Sequence, residues 1–153
     1  MGQQQLLLLV LATVIVGLAT VAGIQAFDEN QTQAAQDAMV QRGTTIMSDI
    51  KGELNKPSQL GGIDYSATPK DVLSKMGYEN GSDASVPVDG APGGGTCTLG
   101  FDSSNNTAGV ACSAEAASQD VKVTLNGSGN SEISTEFGSG LSAPGSGGSS
   151  SGS

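Results

Sequence analysis

An uncharged stretch from Met1 to Phe27, dominated by apolar residues from Leu6 to Ile24, runs directly into a polar segment that keeps a helical rhythm almost to Pro57. This join constrains the chain more than any other feature, because it describes one long helix with an apolar front half and an amphipathic rear half. As a helix, Leu6 to Ala26 spans about 30 Å, enough to cross the hydrocarbon core of a membrane. Behind it, Ala35, Met39, Gly43, Ile46, Ile50 and Leu54 recur in steps of three and four, while Gln33, Gln36, Asp37, Gln41, Asp49 and Glu53 keep the opposite side polar. Such a stripe is expected to receive a sheet. Gly43 and Gly52 each cost a helix up to about 1 kcal/mol relative to Ala, so they point to close packing or local loosening. Asn55, Lys56 and Pro57 end the segment, since the residue before proline is driven out of the helical region.

The front half does not read well as a discarded signal peptide. The first basic residue is Arg42, and Ile24-Gln25-Ala26 is a poor cleavage site. Myristoylation is disfavoured too, because Leu7 stands where that pattern needs Ser or Thr. Small residues at Ala19, Ala22, Gly23 and Ala26 would let another helix approach closely; Gly is also simply commoner in membrane helices.

The remaining chain has room for one small domain. It holds 153 residues with 23 Gly, no Trp, and only Phe27, Phe101, Phe137, Tyr65 and Tyr78 as aromatics. Its formal charge of -9 falls wholly after Phe27, so a basic surface for nucleic acid is not available and no nucleic-acid partner is expected. Cys97 and Cys112 are the only cysteines. Beyond a hydrophobic N-terminal segment, an even pair reads as a disulfide formed outside the cell, the other reading being two unrelated buried thiols. Closing that loop would contribute on the order of 3 kcal/mol.

Thr68-Pro69-Lys70-Asp71 predicts a helix start with Thr68 as its cap, and Val72, Leu73 and Met76 supply an apolar face before Gly77. Tyr78 to Gly95, with Pro87, Pro92 and three consecutive glycines, reads as a surface loop. Thr96 to Phe101 and Gly109 to Ala114 read as paired strands; Asp120 to Leu125 alternates clearly, and Ser131 to Phe137 returns after a turn. About four antiparallel strands result. Gly138 to Ser153 is a Gly- and Ser-rich tail with no expected place in a core. The divisions are therefore residues 1–27, 28–56, 57–137 and 138–153, and the fold class is α+β, with a long hydrophobic N-terminal helix on a small antiparallel sheet.

Chemistry is sparse. There is no His, the cysteines suit a disulfide, and Asp83 and Asp89 lack the spacing of a calcium loop, so no enzyme, metal or cofactor is expected. Asn30, Asn80, Asn105 and Asn126 each begin an N-glycosylation acceptor pattern.

The layout resembles the type IV pilin and archaeal pilin-like superfamily. The resemblance rests on Gly2-Gln3-Gln4-Gln5, the apolar segment, the continuous helix through Leu54, and a small sheet domain with a cysteine pair. It implies processing at Gly2 and Gln3 by a prepilin peptidase, residence in the cytoplasmic or inner membrane, and assembly by dedicated machinery into an extracellular filament. Filament-core packing would fall to Leu7, Leu11, Ile15, Ala19, Ala22, Gly23 and Ala26, so the expected partner is another copy of the chain. Two departures weigh against an ordinary bacterial member: only Met1 and Gly2 precede Gln3, and the glutamate usual at the fifth mature position is Leu7 or, if Met1 is the mature start, Gln5. The alternatives are an anchored extracellular adhesin or envelope-complex component that does not polymerise, and a secreted binding module freed of its hydrophobic segment.

Overall fold

The computed structural model describes residues 2–79, 81, 83–127 and 132–145. One helix, α1, runs unbroken through Gly2–Leu54. After a single 3-10 turn at Ser58–Leu60 and the short helix α2 (Pro69–Lys75), five strands follow: β1 (Ser85–Pro87), β2 (Gly95–Asp102), β3 (Thr107–Ala114), β4 (Asp120–Asn126) and β5 (Ile133–Gly138). They pair antiparallel in chain order, so the sheet is a simple meander laid on the rear half of α1. This is the expected α+β arrangement.

The stripe on α1 is the seam of the domain. Ala35, Met39, Gly43, Ile46, Met47 and Ile50 are buried, against a sheet face made by Cys97, Leu99, Ala108, Val110, Cys112, Val121, Val123 and Leu125. Strand alternation places these residues on one side, and β4 shows it most plainly, with Val121, Val123 and Leu125 buried between half-exposed Lys122 and Thr124. Met47 was not part of the expected stripe. It lies beside Ile46 because a helix on a sheet uses a wider apolar band than a single row. Leu54 is only partly buried, since α1 ends there.

Gly43 is required for contact. A Cβ at this position would stand 2.9 Å from Val123 Cγ2 and 3.5 Å from Cys112 Sγ, whereas one at Gly52 would meet nothing within 4 Å. The disulfide Cys97–Cys112 joins directly opposed residues of β2 and β3 beneath this point, with Cα atoms 3.9 Å apart.

Three expectations are corrected. The sheet has five strands, because Tyr78 to Gly95 is not wholly a surface loop: Ser85–Pro87 pairs with Thr96–Thr98, and Ala84, Val86 and Val88 are buried. The motif was obscured by its brevity and by Pro87, which an edge strand tolerates. Thr68 precedes α2 as expected, but its side chain makes no capping bond; the turn closes through Val72 N–H to Thr68 O at 3.1 Å. Finally, the Gly- and Ser-rich tail does contribute to the core through residues 139–145.

That segment returns across the outer face of the sheet. Gly140 N–H donates to Asp120 Oδ2 at 2.8 Å, Ala143 is buried, and Pro144 lies over Gly109, where a Cβ would come 2.5 Å from its Cδ. At Gly100 a Cβ would strike the Pro144 carbonyl oxygen. Glycines in β2 and β3 thus open a shallow channel into which the strap fits.

Gly43→Leu should destabilise the domain by roughly 1–3 kcal/mol through overpacking, while Gly52→Ala should stabilise it by up to about 1 kcal/mol. Urea unfolding in detergent, followed by far-ultraviolet circular dichroism, checks both signs. Replacing Cys97 and Cys112 together by Ala should lower stability by about 3 kcal/mol in the same assay.

Candidate functional site

The largest feature without a partner is the front of α1. Every residue from Gly2 to Asn30 is exposed, and the sheet first covers the helix at Ala35. The expected packing residues lie in this projection: Leu7 is 70%, Leu11 56% and Ile15 58% exposed, and Ala19, Ala22, Gly23 and Ala26 are exposed likewise. A Cβ at Gly23 would meet nothing within 4 Å. Gly2 and Gln3, the expected processing pair, occupy the exposed first turn.

This helix is long and apolar enough to cross a membrane. The two hydroxyls of its apolar front are already satisfied: Thr13 Oγ1 donates to Val10 O and Thr20 Oγ1 to Gly17 O, both at 2.8 Å. From Leu6 to Ile24, with its backbone N–H groups and hydroxyls bonded inside the helix, the segment can enter an apolar surrounding without stranding a donor.

At 100° per residue, Ala19, Ala22, Gly23 and Ala26 lie roughly 140° around the helix axis from the stripe that holds the sheet. The small-residue face and the domain-bearing face therefore point in different directions. Phe137 adds a further exposed apolar group. It pairs with Val121 on the helix-facing side of β5, yet remains 54% exposed because α1 lies chiefly over β3 and β4.

Polar contacts pin the helix to the domain. Tyr78 Oη donates to Asp49 Oδ2 at 2.5 Å, the Arg42 guanidinium stands 5.3 Å from the Tyr78 ring centre, and Arg42 Nη2 approaches Asp89 Oδ2 at 3.5 Å. Burial pushes the Tyr78 phenol up to about 12, helped by the hydrogen bond and negative charge of Asp49 and opposed by Arg42. At the end of α1, Glu53 pairs with Lys56 and with Lys75, the latter at 3.7 Å. Apart from Glu53–Lys56, these pairs join residues far apart in the chain and carry no local sequence signal.

The acceptor asparagines differ in their surroundings. Asn30 is exposed on α1. Asn105 Nδ2, the atom that would carry a sugar, donates to Asp102 Oδ2 at 2.7 Å, and Asn126 Oδ1 accepts from Thr107 Oγ1 at 3.1 Å. Asn80 lies outside the described residues. The same Asn105 bond, with backbone N–H groups of Ser104 and Asn105, holds the Asp102 carboxyl below its usual range. Among the described residues, no group of three or more His, Cys, Asp or Glu is placed to hold a metal.

Comparison with family models, curated proteins and solved structures returned no match. A functional reading therefore rests on the chain's own geometry.

An unfolded tyrosine titrates near 10, so the proton held more tightly by folded Tyr78 adds stability that is complete below about pH 10 and lost as pH rises toward about 12. Tyr78→Phe should abolish this part of the alkaline decline. Urea midpoints of the two proteins compared across that interval, alongside phenolate absorbance, measure it.

Proposed function

We propose that this chain is the structural subunit of an extracellular, type IV pilus-like filament, held in the membrane before assembly and packed through the front of α1 afterwards. One observation carries the reading: a single unbroken helix is covered on one face by its own domain from Ala35 onward and exposed all round from Gly2 to Asn30.

The magnitude excludes water as the resting place of the bare half. Thirteen large apolar residues between Leu6 and Phe27 are more than half exposed; at about 100 Å² each, their hydration costs on the order of 30 kcal/mol. That exceeds the roughly 5–15 kcal/mol net stability of an ordinary domain. Lipid removes this cost for a single chain, and neighbouring helices remove it in a polymer.

Polymerisation is favoured by the arrangement of faces. With the sheet on one side and the small residues on another, a neighbour meets a surface different from the one it presents, and heterologous contacts of this kind extend without closing. The acidic domains repel one another and would occupy the outside, with screening by salt helping them crowd. Processing by a prepilin peptidase and export by assembly machinery belong to the same proposal, as does carriage of sugars at the acceptor asparagines.

Ala19→Trp or Gly23→Trp should abolish filaments while leaving the disulfide and circular dichroism of the domain unchanged. Electron microscopy of sheared cell-surface material, with the chain identified by mass, reads the result. Normal filaments from both variants would defeat the close-packing scheme. An intact chain found only in membranes, never in filaments, would favour an anchored adhesin or envelope component.

A further inference from the structure

A cleft of about 530 Å³ opens beside the Phe101 end of β2, within the roughly 300–1,000 Å³ typical of small-molecule sites. It forms because β1 stops at Ser85, opposite Thr98, leaving the rest of that strand edge without a strand neighbour among the described residues. The segment from Tyr65 to Lys70 lines the cleft together with Asp83 and Ala84.

The cleft wall is held by specific contacts. The Tyr65 hydroxyl end is seated against Gly127, where a Cβ would collide with it. Ala84 takes the left-handed conformation with φ 54° while its carbonyl accepts Leu99 N–H at 3.1 Å. A non-glycine residue is strained in that region, and such positions concentrate at binding sites. The lining combines two partly buried rings, Tyr65 and Phe101, with Asp83, Lys70, Thr98 and Ser103.

We infer that this cleft binds a neutral saccharide of one or two rings. A pyranose presents a flat face of C–H groups that packs on an aromatic ring, and a rim of hydroxyls that needs both acceptors and donors. Asp83 supplies the first and Lys70 the second, with Thr98 and Ser103 able to do either. Net charge decides against acidic sugars, because a chain carrying -9 repels anions. The cleft is also well placed to meet a ligand. α1 leaves the domain near Gln36, which bonds Ser118, whereas the cleft lies toward the opposite end, where Ile63 N–H bonds Glu53 O near the end of α1. It faces away from the apolar front in an assembled or a merely anchored chain, so the inference stands independently of polymerisation.

The test uses the full chain in phosphocholine micelles, since glycoside detergents would compete. Saturation-transfer NMR is run with methyl α-mannoside, methyl β-galactoside, N-acetylglucosamine, lactose, maltose and cellobiose, with glucuronate as the acidic comparison. At least one neutral sugar should receive transfer, strongest to the protons of one ring face. Asp83→Ala should weaken it about tenfold, the loss of one charged hydrogen bond; Tyr65→Leu should weaken it too, and Lys122→Ala, on the outer sheet face, should not. No transfer at roughly 20 mM sugar, a preference for glucuronate, or binding undiminished in Asp83→Ala and Tyr65→Leu would each overturn the inference. Filaments imaged from Asp83→Ala should be normal, which separates failure here from failure of the assembly proposal.

Discussion

Everything in this protein depends on one helix meeting two surroundings. From Ala35 to Ile50 the helix is buried by its own sheet, and Gly43 lets the two approach until Val123 and Cys112 nearly touch the backbone. Before Ala35, the same continuous backbone is bare. Because no break separates the halves, whatever holds the front also fixes the direction in which the domain projects. The domain cannot be treated as a body on a loose tether.

The domain itself is thin and compensates by several small devices. A disulfide ties the middle strands at the point where the helix crosses. Tyr78, Asp49, Arg42 and Asp89 fasten the chain after α2 to the helix surface. On the far side, where a meander would normally face water, the strap from Gly140 to Pro144 fills a channel of glycines. Together they let a core built largely from Val, Ala and Leu hold one register with few large groups.

The front half needs its surroundings for a different reason. From Leu6 to Ile24 its hydroxyls and backbone are bonded internally, so an apolar medium imposes little polar cost there, and water is unfavourable. Lipid and a bundle of identical helices satisfy that requirement equally well. A helix able to exchange one for the other is what the proposed passage from membrane to filament requires, and the small residues at Ala19, Ala22, Gly23 and Ala26 mark where the exchange would occur.

Periodicity determined much of this by itself. The join of apolar run and amphipathic stripe gave the long helix, alternation gave β4, and the paired cysteines gave the disulfide, because each is a local pattern with one physical solution. Strand β1 escaped, since three residues ending in proline carry too little pattern. The strap escaped for the opposite reason: Gly and Ser have no preference of their own, and Ala143 is buried only because glycines on two other strands leave room for it. The Tyr78 cluster and the cleft beside Phe101 were also beyond reach, as their members lie tens of residues apart. Sequence fixes which segments must hide from water; the tertiary structure alone decides which distant segments meet, because meeting depends on strand order, edge length and the space a missing side chain leaves.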